Sequence, residues 1–491
     1  MKMFKYFIAG GLILFSSLGC KKYLSEEPKK QTTIQTVEQL EALINNATAF
    51  TYDGNNATAA YSTDDTEIPL DAYKNYPVRW SVENLYSYVF NVDQLVGLAA
   101  DPLWNGEYKK IFTANLILSY LDKVSGNESD KAKVKADAHF IRAYSYWLLA
   151  NHYCLPYSQA NENAPGLPLK KSVDYTEALS RASLKETYAF IEADLAEAAK
   201  TPVQEVDPRK TWRVSQKAVQ AFLSRYHLFL GNYDKSLDNA NKALETQAVQ
   251  LFDYKAMKPG NVASYTNPSA SLAYSEFNDW ATAQFLYWKE FYYARYSYTS
   301  SQWWLPSNAL MSLFDKQNDL RYKWLMMENG GRRFSVINPS LARYSFFNDG
   351  RYIPTGPTIA EVLLNKAEVQ ARKSDIGGAM QTLKTLQDQR LQTSTLLTAT
   401  DKDDAIKKVL EERRREMPFA MRWFDIRRFS VNDYAADDVT IQRTFYKVGV
   451  GTVDVNVIEN YTLPSGSKRY AVPINGVEMD ASRGQINQNT Y

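Results

Sequence analysis

Apolar positions along the chain predict a mainly α-helical protein. In residues 105–123 the apolar side chains recur three and four positions apart, and residues 132–150 repeat the pattern, which is the spacing of one helix face. Ser125-Gly126-Asn127 joins the two segments and is typical of a turn. A loop with Pro and Gly, residues 155–169, precedes another helical segment at residues 184–200. Helical pairs are therefore the predicted building unit.

Two segments resemble tetratricopeptide repeats, which are helix-turn-helix units of 34 residues. Residues 214–246 place small residues where two helices would touch and turn at Gly231, and residues 358–390 repeat the arrangement with a turn at residues 374–377. Ser236 stands where the repeat prefers Ala. Stacked units of this kind share a core, so the predicted fold is a tetratricopeptide-like superhelix of helical pairs.

The remaining segments lack this regularity. A short helix at residues 36–46 leads into a long polar loop that ends near Trp80, and long loops often carry function. Residues 251–347 lose the helical period and concentrate aromatics, which predicts an irregular aromatic-rich insertion. Residues 439–491 alternate short apolar runs with Gly and Pro, as expected of loops and short strands. We predict one domain over residues 34–491, made of an N-terminal part (about 34–245), the aromatic insert (about 251–347) and a C-terminal helical and loop part (about 348–491).

The N-terminus predicts a secretory signal. Lys2 and Lys5 precede an apolar run, residues 7–15, and small residues then lead to Cys20, in the order of a removable signal peptide. The run is too short to cross a bilayer, which takes about 20 apolar residues. A signal ending at a cysteine resembles a bacterial lipoprotein signal, although Ser17 stands where Leu is usual. The resemblance implies that residues 1–19 are removed, that Cys20 carries the lipid and that residues 20–33 form a tether; the alternative is an ordinary secreted protein.

Charge and cysteine content exclude two classes of protein. The chain has 57 basic and 55 acidic residues, and loss of Lys2 and Lys5 with the signal leaves 55 of each. Electrostatic steering toward nucleic acid is therefore not expected. Cys154 is the other cysteine of the two, so a lipidated Cys20 leaves the mature chain without an internal disulfide.

Aromatic residues suggest where a ligand could bind. The chain contains 34 Tyr, 22 Phe and 10 Trp, and residues 284–304 read QFLYWKEFYYARYSYTSSQWW. Alternation of Tyr292, Tyr296 and Tyr298 would place them on one face of a strand. Aromatic faces contact the C–H side of a sugar ring while Tyr and Trp can still hydrogen-bond. The candidate ligand-binding residues are Trp80, Tyr287, Trp288, Tyr292, Tyr296, Tyr298, Trp303 and Trp304, and the alternative is that most of these rings fill the core of the insert.

Catalysis has little support in the sequence. His139, His152 and His227 lie within helical apolar patterns without metal-ligand spacing, so they are predicted to be packed histidines, and the motifs of nucleophile elbows, phosphate loops and dinucleotide sites are missing. No cofactor or metal is predicted. Paired carboxylates could serve a glycosidase, but a chain with 55 acidic residues always offers such pairs.

The charged stretch at residues 411–416, Glu-Glu-Arg-Arg-Arg-Glu, is predicted to be a structural network rather than a ligand site. Glu411 and Arg415 lie one helical turn apart and can pair, and Pro418 ends the helix. Mixed charge runs usually make solvated or inter-element contacts.

Five segments together resemble the SusD/RagB family, the surface nutrient-binding lipoproteins of Bacteroidetes. They are Cys20-Lys-Lys-Tyr-Leu24 with Pro28, residues 104–115, the stretch from Ala138-His-Phe-Ile-Arg-Ala-Tyr144 to Pro168, residues 406–428 (IKKVLEERRREMPFAMRWFDIRR), and the terminal Asn487-Gln-Asn-Thr-Tyr491. Ala420-Met421 and Thr490 depart from the family pattern.

This resemblance implies a non-catalytic, lipid-anchored binding protein on the outer membrane, displayed at the cell surface. Its ligand would be a nutrient, expected to be an oligosaccharide, and its partner a SusC-like TonB-dependent transporter. In the family a comparable aromatic arc binds glycan where one is bound. Two alternatives remain: a surface glycoside hydrolase of helical architecture, and a protein-binding repeat scaffold without a small-molecule ligand.

Overall fold

The computed structural model describes residues 34–55, 57–98, 101–174, 176–260, 275–298, 304–328, 342–347 and 350–491. The predicted signal peptide and tether, with Cys20, lie outside the described residues, as does Trp303. No helix in these ranges is both long and apolar enough to cross a membrane.

Helices make up most of the regular structure, as predicted. Side chains start many of them: the Thr36 hydroxyl accepts from the Gln39 amide, and Ser183 and Glu186 form a reciprocal capping box, which satisfies free amides at a helix start. The α-helices are α1 (Val37–Ile44), α2 (Ala47–Thr51), α3 (Ala57–Tyr61), α4 (Leu70–Asn75), α5 (Val82–Tyr88), α6 (Pro102–Tyr120), α7 (Glu128–Tyr153), α8 (Leu184–Ala198), α9 (Gln216–Phe229), α10 (Tyr233–Leu244), α11 (Glu276–Asp279), α12 (Thr282–Phe285), α13 (Asn308–Met311), α14 (Leu320–Leu325), α15 (Ile359–Arg372), α16 (Ile376–Gln387), α17 (Lys402–Glu416), α18 (Ala420–Phe429) and α19 (Gly476–Ala481).

The longer helices pack side by side as a helical array, by which we mean α6 to α10 and α15 to α17. Helix α7 lies between α6 and α8, α9 pairs with α10, and α15 contacts α10, α16 and α17. The two predicted helix-turn-helix units correspond to α9–α10 and α15–α16. Ser236 is fully buried and its hydroxyl donates to the Ser224 carbonyl at 2.8 Å, which explains how a polar residue is accommodated where Ala was expected.

Strands are short except at the C-terminus. The predicted loop before Trp80 is largely helical, since α2 to α4 lie within it, and the C-terminal region contains a long antiparallel hairpin rather than only loops and short strands. Helices α2 to α4 contain only five or six residues each, so the periodic signal of that segment in the sequence is weak. The strands are β1 (Tyr52–Asn55), β2 (Tyr296–Tyr298), β3 (Met326–Met327), β4 (Arg343–Tyr344), β5 (Tyr352–Pro354), β6 (Ile441–Gly449) and β7 (Thr452–Leu463).

The charged helix α17 is a structural element, as predicted, but its pairing differs from the prediction. Arg415 donates to Glu412 at 2.8 Å rather than pairing with Glu411, because Glu412 faces inward and is fully buried. Arg413 donates to Asp425 of α18 at 2.7 Å. Pro418 follows the helix, and the next residue, Phe419, has a φ of 63°. These contacts fix α17 to its neighbours.

One large group of buried residues joins the helical array to the aromatic insert and the C-terminal hairpin. Smaller groups lie between α15, α16 and α17, and between α1 and the adjoining parts of α6 and α7. The insert thus shares its core with the array, and this sets the position of the surface described next.

Candidate functional site

A small sheet at the edge of the insert brings together tyrosines from three distant segments. Strand β2 lies parallel to β1, with Tyr296 opposite Tyr52, and antiparallel to β5, with Tyr298 opposite Tyr352. Successive side chains on a strand point to opposite faces. The four tyrosines therefore share one face, and we call them the tyrosine cluster.

Ring contacts connect the members of the cluster. The centroids of Tyr298 and Tyr352 are 5.1 Å apart, and those of Tyr52 and Tyr298 are 5.8 Å apart with the rings nearly perpendicular. Tyr296 is buried, whereas Tyr52, Tyr298 and Tyr352 are half-buried. The buried ring of Phe285 packs against the cluster, 5.2 Å from Tyr352 and 4.8 Å from Tyr296. The result is a surface with three partly exposed aromatic rings on a fixed base.

The opposite face of the same sheet carries a buried ionic network. Arg295 donates to Asp53 of β1 at 2.5 Å and to Glu107 of α6 at 2.7 Å. Lys110 donates to Glu107 and to the carbonyl oxygen of Tyr52, and Thr355 donates to Asp53. Two acids and two bases balance in charge, as buried ions require. The network ties β1, β2 and the end of β5 to α6, so it holds the tyrosine cluster in register.

Backbone contacts complete this anchoring. The amides of Thr355 and Gly356 both donate to the Arg295 carbonyl, at 2.9 and 3.0 Å. A Cβ at position 356 would lie 2.0 Å from the Tyr293 carbonyl oxygen, so only glycine allows the two segments this close approach.

Protonation states in this region follow from burial. Burial raises the pKa of Tyr296 to about 12 and, with the neighbouring tyrosines, also raises the pKa of Tyr52. These phenols are therefore protonated at neutral pH and can both donate and accept. Burial lowers the pKa of Lys110 to about 8. Burial opposes ionisation of Glu107, yet Arg295 and Lys110 hold the pKa of that carboxyl below its usual value.

The structure separates the predicted ligand-binding residues into three groups. Tyr298 is half-buried in the cluster, and Tyr287 is 51% exposed on the insert. Trp303 lies outside the described residues. Five others are 5% exposed or less and lack an exposed ring face, contrary to the prediction: Trp80, Trp288, Tyr292, Tyr296 and Trp304.

Local packing explains why these five rings are covered. Tyr292 precedes strand β2 and donates its hydroxyl to the Ala243 carbonyl of α10 at 2.9 Å. Trp304 packs 5.3 Å from Phe419, and Trp288 lies among Phe291, Phe346 and Phe347. Trp80 packs on Tyr73. Large rings of the insert thus fill its core, which was the alternative interpretation of the sequence.

Tyr52 and Tyr352 were not predicted as site residues. Each lies in a strand of three or four residues far from Tyr298 in sequence, and no local pattern indicates that they pair. The one relevant signal was the long segment before Trp80, which was expected to carry function and which contains Tyr52.

The histidines are placed as predicted, inside helices. His139 shares a hydrogen bond with Asp194 at 2.7 Å, and His152 and His227 are buried in α7 and α9. Within the described ranges no group of His, Cys, Asp and Glu has the arrangement of a metal site.

Family models match both ends of the chain. Residues 22–228 match a model described as "Starch-binding associating with outer membrane", and residues 359–491 match the SusD family model. A SusD-like protein of Formosa agariphila is 28% identical over 155 residues, and this match spans 28% of either protein's length.

Solved structures share the fold over nearly the whole chain. A SusD superfamily protein from Bacteroides thetaiotaomicron has a TM-score of 0.68 at 19% identity, covering 93% of this chain and all of the other. A putative sugar binding protein from Bacteroides vulgatus has a TM-score of 0.65 at 18% identity, with 94% and 99% covered. A laminarin-binding SusD-like protein has a TM-score of 0.61 at 16% identity, with 93% and 99% covered. At these identities the similarity shows the fold alone.

Proposed function

Because this chain belongs to the SusD/RagB family, we propose that it binds a carbohydrate at the bacterial outer membrane and that the tyrosine cluster is the binding surface. The observation that carries the proposal is the partial exposure of Tyr52, Tyr298 and Tyr352 on one face of a sheet. The laminarin-binding protein of the same fold supports a glucan as the first ligand to test.

The geometry of the cluster suits a sugar ring. Tyr298 and Tyr352 are a cross-strand pair with their ring centroids 5.1 Å apart, and the C–H face of a pyranose can lie against these rings. Phenol hydroxyls of these residues can exchange hydrogen bonds with sugar hydroxyls. A sheet backed by ionic contacts keeps the rings in place before binding, which limits the entropy lost when a ligand is held.

Binding without catalysis is the better proposal for this surface. A glycosidase needs two free carboxyl groups flanking the scissile bond. The carboxylates of Asp53 and Glu107 lie behind the sheet and are occupied by Arg295 and Lys110. They point away from the tyrosine face and cannot reach a sugar there.

Delivery of the ligand is the second part of the proposal. Lipidation at Cys20 would hold the protein on the outer membrane, and a SusC-like TonB-dependent transporter would receive the glycan. We propose that the helical array contributes the surface for the transporter, since stacked helical pairs present broad faces for protein contact, and this leaves the tyrosine cluster for the ligand.

Affinity electrophoresis against a panel of soluble polysaccharides, including laminarin and starch, tests the binding site. We expect retardation by at least one polysaccharide and a loss of affinity of about tenfold or more in Tyr298→Ala/Tyr352→Ala. Each aromatic contact contributes about 0.5–1.5 kcal/mol beyond the area it buries, and about 1.4 kcal/mol is tenfold in Kd. Tyr76→Ala, which removes an exposed tyrosine outside the cluster, serves as the matched control. Unchanged retardation of the double variant would refute this site.

Cell fractionation tests the anchor and the partner. A Cys20→Ala variant should leave the outer membrane fraction when the transporter gene is absent, while the helical body still folds. Purification of the tagged protein from outer membranes should also bring down a barrel transporter. Repeated absence of that transporter would overturn the delivery proposal without touching carbohydrate binding.

A further inference from the structure

A cavity of about 390 Å³ opens on the side of the helical array. Its walls come from the loop after α7, the turn between α9 and α10, and the end of α18. Gly231 has a φ of 70°, a left-handed conformation that ends α9 and lets the turn curve around the opening. The cavity shares no lining residue with the tyrosine cluster, and its volume falls within the range typical of small-ligand sites.

Two half-buried tyrosines, Tyr157 and Tyr233, line this cavity and each has a carboxylate nearby. The pKa of Tyr157 is raised by burial and then by Glu162, and the pKa of Tyr233 is raised by burial, with Asp433 among the contributing charges. Tyr157 is held by Tyr188, whose ring centroid is 4.5 Å away. Aromatic rings and carboxylates, which accept hydrogen bonds from hydroxyls, therefore both line the opening.

The buried wall of the cavity argues against an anionic ligand. Arg428 lies there with its guanidinium 5.3 Å from the ring centroid of Phe229. Both of its terminal nitrogens donate to Glu368 at 2.7 Å, and Nε donates to Asp425 at 2.9 Å. The arginine of the lining is thus paired with two buried carboxylates, and the carboxylates at the rim would repel a phosphate or a carboxylate.

We propose that this cavity is a second saccharide subsite, which takes one neutral pyranose ring against Tyr157 and Tyr233. The inference rests on the proposed function and extends it to a site built from different elements. Ring faces contact the C–H side of the sugar. Glu162 and Asp433 accept hydrogen bonds from its hydroxyls, and the exposed amide of Gln159 can both donate and accept.

One carboxylate of the lining, Glu162, keeps an acceptor oxygen for a ligand. Glu162 uses Oε2 for Lys185, at 2.9 Å, and this leaves Oε1 for a sugar hydroxyl. Asn432, by contrast, is engaged with Asp437 and the Tyr434 amide, so it shapes the wall. A single ring fits such a site better than an extended chain, because the tyrosines line a cavity of about 390 Å³ rather than a strip.

Saturation-transfer NMR with the methyl glycosides of glucose, galactose and mannose tests the subsite. The background is Tyr298→Ala/Tyr352→Ala, which removes the tyrosine cluster. We expect residual binding of at least one glycoside in this background and an affinity loss of about tenfold when Tyr157→Ala and Tyr233→Ala are added. Phenylalanine at both positions keeps the ring faces and should restore most of the binding. Such a restoration would show that the ring faces, rather than the hydroxyls, carry most of the affinity. Circular dichroism checks that each variant is folded.

The outcomes separate this inference from the proposed function. Residual binding that survives the alanine changes, or no residual binding at all, would overturn the subsite while leaving the cluster intact. If Tyr157→Ala and Tyr233→Ala abolish binding while the cluster substitutions have no effect, the subsite is supported and the cluster is rejected. Tetramethylammonium provides the last comparison, since tighter binding of this cation than of any glycoside would reassign the cavity to an organic cation.

Discussion

Helix α7 and the sheet of β1, β2 and β5 are both rich in tyrosine, but the two regions differ in how far other residues cover the tyrosine rings. In α7, Tyr144, Tyr146 and Tyr153 are at most 1% exposed, because helices and loops pack over them. In the sheet, Tyr298 and Tyr352 pack on each other and Tyr352 also packs on Phe285, yet part of each ring stays open. Tyrosine content therefore does not identify a ligand surface; what matters is whether another layer covers the ring face.

The helical array and the sheet also differ in where their ion pairs lie. The helical array is joined to the insert by fully buried ion pairs, such as that of Arg390 with Glu290 at 2.8 Å. The tyrosine face carries no ion pair among the described residues, and its charged network lies behind the sheet. We infer that substitutions in the array affect stability first, whereas substitutions on the tyrosine face affect binding first.

Arg390→Met should give the largest loss of stability. Arg390 donates to Glu290 and to Glu416 of α17, both at 2.8 Å, and burial already raises the pKa of Glu290 to about 7. Without the guanidinium two buried carboxylates lose a partner, at a cost of about 3–5 kcal/mol in the free energy of unfolding. Urea denaturation measures the change.

Lys242→Met is the matched control for this prediction. Lys242 pairs with Asp238 at 2.6 Å on the surface of α10, where an ion pair contributes little. We expect an unchanged denaturation midpoint for the control. Equal midpoints for both variants would contradict the view that buried ion pairs join the array to the insert.

Trp288→Ala and Tyr298→Ala compare a core ring with a cluster ring inside the same insert. Removal of the buried Trp288 ring should lower the free energy of unfolding by about 3–5 kcal/mol. The half-buried Tyr298 should cost about 1–2 kcal/mol, because less of its surface leaves water on folding. Carbohydrate affinity, measured on the folded fraction of each variant, should instead fall more in Tyr298→Ala than in Trp288→Ala. A larger affinity loss in Trp288→Ala would reverse our assignment of the two rings.

Acid should weaken the helical array through His152. Burial lowers the pKa of His152 to about 3, so between pH 6.5 and 3 the unfolded chain binds a proton that the folded protein does not. The contribution of neutral His152 to the free energy of unfolding is therefore fully present above pH 6.5. It is lost as the pH falls, by about 3 kcal/mol at pH 4. His152→Gln should flatten this slope in urea titrations at several pH values. Burial also lowers the pKa of His227, to about 4, so part of the dependence of the free energy of unfolding on pH should remain in this variant. An identical pH dependence in the variant and the unchanged protein would contradict the prediction.

The sequence predicts the array well because helices carry a local signal. Apolar spacing and turn residues within single segments predict the presence of α7 and α8 and the turns at Gly231 and at residues 374–377, although α7 extends three to four residues beyond the predicted segment at each end. The pairing of Arg415 was predicted less well, because the choice between Glu411 and Glu412 depends on which side faces the core.

The tyrosine cluster could be predicted only in part. Tyr296 and Tyr298 were placed on one strand face, and they do share it. Their partners come from short strands remote in sequence, and β-pairing of such segments is decided by tertiary packing rather than by propensity. The same packing decides why Trp304 is covered while Tyr298 is not, and no residue-by-residue pattern contains that information.

The most direct test of our central claim is a crystal structure of the protein with the oligosaccharide that it retains best. Our account predicts a sugar ring against the open faces of Tyr298 and Tyr352, with at least one tyrosine hydroxyl bonded to the ligand. A well-ordered oligosaccharide bound elsewhere, with the tyrosine cluster bare, would contradict it.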